Sequence, residues 1–261
     1  MTTPLAMSAR FSRRAARKPL GALYALLDEI QTVLVATPTA EIRRAKIGFW
    51  EAEIAAARTG GARHPLARAL PAGAVLAIAG GALEAARTEA ALAGRFPGGL
   101  FRTLLAGELG RPLGLAAALE GGGGPEAAAY AEQVGIAYAL TVRLQTLGFA
   151  YRHRPWEVAS LAAETSGPTA DADEAPAAME VLRAWAASAY EAARVQASAA
   201  PRLPRSARVL AALGERLLAE LTLEIGADPR RLLASRILLP GPRMRWIALR
   251  ALWGGRRRPG R

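Results

Sequence analysis

The sequence contains no cysteine and only two histidines, His64 and His153. The absence of cysteine excludes disulfide scaffolds, thiol catalysis, iron–sulfur clusters and every cysteine-based zinc site. Two histidines are too few for a histidine-rich metal centre. Long apolar runs are also missing, since the longest uncharged one, 69–83, has about 15 residues against the roughly 20 that a membrane-spanning helix needs. The sequence therefore predicts no membrane-spanning segment.

Arginine and small apolar residues dominate what is present. The 261 residues include 34 Lys and Arg against 22 Asp and Glu, which gives a formal charge of +12, and 52% of them are apolar. A chain of this length and apolar content can bury one substantial core. The charge favours anionic partners, namely nucleic acid, anionic lipid or a diphosphate, and charge alone does not choose among them.

The hydrophobic pattern is helical along nearly the whole chain. Apolar residues recur at helical spacing, Gly and Pro separate the segments, and no stretch alternates with a period of two. The pattern predicts an all-α protein. The predicted helices cover 39–59, 66–70, 81–93, 99–119 with a kink at Gly110 and Pro112, 125–151, 177–199, 206–225, 229–238 and 244–253, with a loop over 165–176.

This organisation predicts three parts: a basic N-terminal segment, 1–18, a helical domain, 19–253, and a disordered basic tail, 254–261. The N-terminal segment is basic and lacks acids, as a transit peptide does. No cleavage site follows an apolar region there, so we interpret it as the beginning of an ordinary basic helix.

Several short strings have the order and spacing of the motifs of a known family. They are Ala22–Ala25 (ALYA), Lys46 with Phe49–Trp50, His64–Leu70 (HPLARAL), Ala106–Gly107 with Gly110, Tyr130–Thr141 (YAEQVGIAYALT) and the terminal stretch Arg236–Trp253. Through them the chain resembles the squalene/phytoene synthases, which are head-to-head trans-isoprenyl diphosphate synthases, and especially bacterial members of hopanoid and carotenoid pathways. The resemblance implies a single-domain helical bundle of the isoprenoid-synthase type around a central cavity.

The resemblance also implies a chemistry for which this sequence lacks the residues. Family enzymes join two prenyl diphosphates with Mg²⁺, a hard cation that takes oxygen ligands, and two Asp-rich motifs hold it. The positions that correspond to these motifs carry no acid; they are Gln31, Thr32, Val35, Val142, Gln145, Thr146, Phe149 and Ala150. Both motifs are degenerate by this comparison. We therefore expect no metal site, no catalytic residue and no cofactor, with Mg²⁺ required only if acids from elsewhere replace the motifs.

A few residues remain as candidates for a ligand cavity. By the same resemblance these candidates are Tyr24, Asp28, Phe101, Tyr138 and Thr141. A separate acidic group lies in the predicted loop and comprises Asp171, Asp173 and Glu174. Acids in a Pro- and Gly-bearing loop are typically solvated or cap helices, so we do not interpret this group as a displaced metal site.

The C-terminal segment alternates arginine with tryptophan. Arg245, Trp246, Arg250 and Trp253 are candidates for membrane contact, because indoles favour the interface and arginines attract anionic lipid. The alternative is that this helix packs on the domain and its arginines are merely exposed; the sequence leaves both open.

Three hypotheses about function follow. The first is a non-catalytic paralogue that binds a prenyl lipid, or a protein partner in isoprenoid metabolism or respiratory-complex assembly, in the cytoplasm and peripheral to the inner membrane. The alternative is an active Mg²⁺-dependent prenyltransferase that condenses two prenyl diphosphates. The third is a basic adaptor for membrane or nucleic acid, and the lack of a nucleic-acid-binding motif disfavours nucleic acid.

Overall fold

The computed structural model describes residues 3–92, 100–121, 124–166 and 174–254. Every regular element in these ranges is helical, which confirms the predicted all-α class. The helices are α1 (Pro4–Arg10), α2 (Arg14–Ala36), α3 (Ala40–Arg58), α4 (Pro65–Ala69), α5 (Ala74–Ala91), α6 (Leu100–Leu105), a π-helical turn (Ala106–Gly110), α7 (Arg111–Leu119), α8 (Gly124–Gln145), α9 (Leu147–His153), α10 (Pro155–Ser166), α11 (Glu174–Ala199), α12 (Arg205–Ala227), α13 (Pro229–Ala234) and α14 (Gly241–Gly254).

Helix α8 is the axis of the bundle. It packs against α7, α11, α12 and the π-helical turn, and its buried residues cover every side of the helix. Small residues permit these close contacts. A Cβ atom on Gly135 would lie 2.7 Å from the Leu109 carbonyl oxygen, so the backbones of α8 and the π-helical turn nearly touch there. A helix that is apolar all round belongs in the interior, and α8 lies there.

The prediction of one helix over 125–151 is wrong, because the helix is interrupted after Gln145. At Thr146 the backbone N–H is shared between the carbonyls of Val142 and Arg143, and the Thr146 hydroxyl donates to Val142 O at 2.8 Å. This back-bonding bends helices. The shorter helix α9 then brings Gly148 against the backbone of α13, where a Cβ atom would lie 2.5 Å from Leu233 O.

The predicted kink at Gly110 and Pro112 is confirmed as the π-helical turn between α6 and α7. Pro112 lacks the N–H that would continue regular α-helical bonding, which favours a widened turn just before it. The predicted helix over 229–238 ends early, at Ala234; Ser235 is extended, and residues 235–240 form no regular element. Pro240 disfavours a helical Leu239, since a residue before proline avoids the helical region.

The N-terminal segment contributes to the fold from α1 onward. The predicted boundary after residue 18 lies inside α2, and Leu5 and Met7 of α1 are buried in the core. By length and composition alone α2 is apolar enough to cross a membrane, but most of its apolar window is buried, as in the core helix of a soluble protein. Asp171, Asp173 and the tail beyond Gly254 lie outside the described residues, whereas Glu174 begins α11.

The contact between α8 and the π-helical turn predicts opposite effects for two glycine substitutions. Gly135→Ala should lower the free energy of unfolding by about 1–3 kcal/mol, because the new methyl group meets backbone that cannot rotate away. Gly48→Ala on α3 meets nothing within 4 Å and should raise it by up to about 1 kcal/mol, the difference in helix propensity. Urea unfolding followed by circular dichroism measures both; equal effects would contradict the close contact.

Candidate functional site

A small cavity lies between α2 and α8. Its volume is about 150 Å³, and residues of α1, α12, α14 and the segment 235–240 complete its walls. Its lining comprises Thr3, Pro4, Asp28, Gln31, Thr32, Val35, Tyr138, Val142, Gln145, Leu217, Arg236, Leu238, Leu239 and Met244. Asp28 is the only acid among these residues, and Arg236 is the only base.

Most of the positions compared above with Asp-rich motifs meet at this cavity. Gln31, Thr32 and Val35 approach it from α2, and Val142 and Gln145 approach it from α8. The other three positions lie around the interruption between α8 and α9. Thr146 and Phe149 line a separate cleft against α13, and Ala150 is buried. The two helices therefore face each other across the cavity as the resemblance implies, and at the compared positions that line it the side chains are two amides, one hydroxyl and two valines.

Only some of the candidate cavity residues line the cavity in the fold. Asp28 and Tyr138 line the cavity, but Tyr24, Phe101 and Thr141 do not. Tyr24 is buried with its hydroxyl 3.1 Å from the Ser206 Oγ, and the Thr141 hydroxyl donates to the Ala137 carbonyl within α8. Phe101 packs beside the Arg143 guanidinium and the Trp185 ring.

Arg236 and Gln145 are hydrogen-bonded to each other in the lining of the cavity. The guanidinium of Arg236 donates to the Gln145 Oε1 at 3.3 Å, and the Gln145 amide donates to the Ile237 carbonyl. Burial raises the pKa of Asp28 above its ordinary value, with the Thr3 hydroxyl and the Arg236 charge acting against that rise. In the part of the chain that the structure describes, no group of three or more histidines or acids is placed to hold a metal ion.

A cluster of buried charges lies beside the cavity. The guanidinium of Arg143, on α8, lies 2.6 Å from Glu89 of α5, 3.2 Å from Glu108 of the π-helical turn and 3.7 Å from Glu157 of α10. All four side chains are at most 3% exposed. The Gln31 amide, which also lines the cavity, donates to Glu108 at 3.1 Å. These carboxylates are committed to an arginine and do not form a cation site.

A second buried arginine connects this cluster to the end of α2. Arg154 lies 2.7 Å from Glu157 and donates to the carbonyl oxygens of Leu34 and Val35 at 2.8 and 2.9 Å. Those carbonyls belong to the last turn of α2, where a helix lacks its own donors and where positive charge is favourable. Arg154 therefore caps a helix, and it is not part of an exposed basic patch with Arg152.

The pKa values of the two central carboxyls of the cluster are shifted in opposite directions. Burial, reinforced by the nearby charge of Glu89, raises the pKa of Glu108 well above its ordinary value. Burial alone would raise the pKa of Glu89 too, but the Arg143 guanidinium and the hydrogen bond from Glu108 hold it below that value. Of the two carboxyls, Glu89 is thus the first to ionise beside Arg143, and Glu108 keeps its proton to higher pH.

The sequence analysis did not identify this cluster, although a signal for it exists. Arg143 is the only charged residue between Glu132 and Arg152, in an otherwise apolar helical run. Glu108 is likewise isolated within an apolar stretch. A lone charge inside an apolar helix predicts a buried ion pair, because a solvated charge belongs on a polar face. The partners on α5 and α10 are too far apart in sequence for spacing to pair them.

The candidate membrane-contact residues lie on the outer face of α14. Trp246 is 60% exposed and Trp253 is 66% exposed, and Arg245 and Arg250 are exposed beside them. The opposite face of α14 is buried through Met244 and Ala248. The helix packs on the domain and presents its indoles outward, and membrane contact stays a prediction.

Comparison with known proteins identifies the fold. No family model and no curated protein matches the sequence. Among solved structures, the chain is similar to a dehydrosqualene synthase in complex with a ligand, with a TM-score of 0.62 and 14% identity, covering 95% of this chain and 90% of that one. It is also similar to squalene synthase HpnC from Alicyclobacillus acidocaldarius, with a TM-score of 0.60 and 19% identity, covering 85% and 88% of the two chains. The predicted isoprenoid-synthase type of fold is confirmed.

The opposite pKa shifts of Glu89 and Glu108 predict unequal effects for two isosteric substitutions. Glu89→Gln removes the ionised partner of Arg143 and should lower the free energy of unfolding at neutral pH by about 3–5 kcal/mol. Glu108→Gln resembles the protonated acid and should leave it unchanged or raise it, because the substituted chain no longer has to take up a proton at this position on folding. Chemical denaturation of both variants measures the difference, and equal losses would contradict this assignment.

The raised pKa of Glu108 also predicts a dependence of stability on pH. A carboxyl whose pKa is higher in the folded than in the unfolded state stabilises the fold fully below the unfolded value of about 4.3. That contribution is lost as the pH rises through the folded pKa. Stability of Glu108→Gln relative to the natural protein should therefore rise over the same pH interval, as measured by denaturation across a pH series.

Proposed function

We propose that this protein is a non-catalytic relative of the squalene and phytoene synthases that acts by binding a partner. The observation that carries the proposal is the cavity between α2 and α8, which is small and contains one acid where two carboxylate motifs are needed. The degenerate motif positions and the absence of a cofactor belong to the same proposal.

The size of the cavity argues against a bound pair of prenyl diphosphates. Pockets for ligands of ordinary drug size occupy about 300–1,000 Å³, and this one measures about 150 Å³. Two prenyl chains need more room than one such ligand. Leu217, Leu239 and Met244 form part of its wall, so the apolar space of a chain-binding tunnel is filled by side chains of this protein.

The charges of the cavity argue against diphosphate ionisation. Departure of a diphosphate leaves several negative charges to be neutralised, which the family achieves with Mg²⁺ and facing carboxylates. Here Asp28 shares the lining with the single base Arg236, and the nearby acids Glu89 and Glu108 lie within 3.2 Å of the Arg143 guanidinium. Each 1.36 kcal/mol of transition-state stabilisation that is lost with this charge neutralisation lowers the rate about tenfold.

The same geometry favours a partner on the outside of the bundle over a lipid inside it. The binding partner in this proposal is a protein of isoprenoid metabolism or of membrane-complex assembly, and the location is cytoplasmic and peripheral to the inner membrane. A prenyl lipid would have to use a surface cleft. One such cleft lies between α2 and α3, has a volume of about 760 Å³ and exposes Ile42 and Phe49.

The alternative is an active head-to-head prenyltransferase. The similarity of fold to two synthases favours it, and so does the position of Asp28 in the cavity. It requires Mg²⁺ and further acids, which a rearrangement of α2 against α8 would have to supply.

Incubation with farnesyl or geranylgeranyl diphosphate and Mg²⁺ separates these two functions. We expect no condensed product, and no rise in melting temperature that depends on Mg²⁺, because the cavity lacks both volume and carboxylates. An active squalene synthase assayed in parallel serves as the positive control. Product that disappears in Asp28→Asn but persists in the surface variant Glu41→Gln would establish the enzyme and refute the proposal.

A further inference from the structure

The outer face of α14 carries an apolar stripe with a basic border. At about 100° per residue, Trp246, Leu249 and Trp253 fall within about 60° of one another around the helix axis. They are 60%, 40% and 66% exposed. Arg245 borders the stripe on one side and Arg250 on the other, and the Arg250 guanidinium lies 5.3 Å from the centre of a Trp246 ring.

This face is outward because the other side of the helix is already occupied. Met244 and Ala248 are buried, and α14 packs on α12 and α1. The guanidinium of Arg208, on α12, donates to the Ala251 carbonyl near the end of α14. The helix is therefore held by the core, and the indoles have no room to rotate inward without unpacking it.

The charge of the whole C-terminal region has one sign. After Asp228 the sequence contains no acid, and the arginines that follow are Arg230, Arg231, Arg236, Arg243, Arg245, Arg250, Arg256, Arg257, Arg258 and Arg261. Only Arg231 and Arg243 of the described ones are in salt bridges with acids, on α12 and in the turn after it. The ten arginines after Asp228, with no acid among them, thus account for most of the formal charge of +12.

We propose that α14 docks the protein on the surface of an anionic lipid bilayer, with Trp246, Leu249 and Trp253 inserted at the level of the headgroups. An amphipathic helix with indoles on one side and arginines along its border is suited to lie in this interface. The arginines lie level with anionic headgroups, and each contributes attraction that salt screens. Nucleic acid would use the same charges but would leave Leu249 and both indoles exposed.

The proposed function includes a location peripheral to the membrane, and this inference assigns the outer face of α14 as the surface that makes the contact. It does not depend on the loss of catalysis, because the cavity and α14 use different side chains. A vesicle-binding measurement reads neither product formation nor prenyl binding, so either proposal can fail alone.

Vesicle flotation with the full chain tests the docking surface. The protein should float with vesicles of phosphatidylcholine mixed with phosphatidylglycerol and should not float with phosphatidylcholine alone. Raising the salt concentration from about 0.1 M to about 1 M shortens the Debye length from about 10 to 3 Å and should release most of it. Tryptophan emission should shift to shorter wavelength on binding.

Paired variants assign the binding to α14. Arg245→Gln with Arg250→Gln should weaken partitioning about 25-fold, since each basic residue near the surface contributes a factor of about five. Trp246→Ser with Trp253→Ser should weaken it at least about 10-fold and abolish the emission shift. The matched charge controls on α3 are Arg44→Gln and Arg58→Gln, singly and together, and the apolar control is Val195→Ser on α11; all three residues are exposed and lie outside the cleft between α2 and α3.

Circular dichroism and melting temperature establish that each variant is folded before its binding is compared. Equal binding by the α14 variants and their controls would overturn the proposal in favour of a diffuse charge effect. Failure of the natural protein to bind anionic vesicles would overturn it as well. Vesicle binding that is absent while single-stranded RNA binds, with or without the two tryptophans, would assign the basic region to nucleic acid instead.

Discussion

The buried guanidinium of Arg143 is the constraint on which the interior depends. A charge without solvent is costly unless it is paired, and removal of one partner leaves the other uncompensated. Glu89, Glu108 and Glu157 supply that pairing from α5, the π-helical turn and α10, and Gln31 connects α2 to the same group. Four other elements therefore have to meet around this one side chain of α8.

The size of the central cavity follows from this arrangement. At this cavity Arg236 donates to Gln145, the Gln31 amide donates to Glu108 of the buried cluster, and apolar side chains from α12 and α14 form part of the wall. In a fold similar to that of a squalene synthase and a dehydrosqualene synthase, the space left between these two helices is about 150 Å³.

The two faces of α14 have different surroundings. Met244 and Ala248 bury one face against the bundle, and the other presents Trp246 and Trp253 between arginines. Exposed apolar side chains beside a region without acids favour association of the protein with a surface that can bury them. A membrane with anionic lipid provides both the apolar depth and the opposite charge.

The sequence by itself determined the helical class, the turn at Gly110 and Pro112, and the resemblance that places Gln31 and Val142 on facing helices, because these depend on local spacing. It did not determine the interruption at Thr146, where α9 turns to meet α13, or the pairing of Arg143 with Glu89 and Glu108. Those features depend on contacts between residues far apart in the chain. Periodicity specifies which face of a helix is apolar, but only tertiary packing decides which buried charges meet and how much space remains between them.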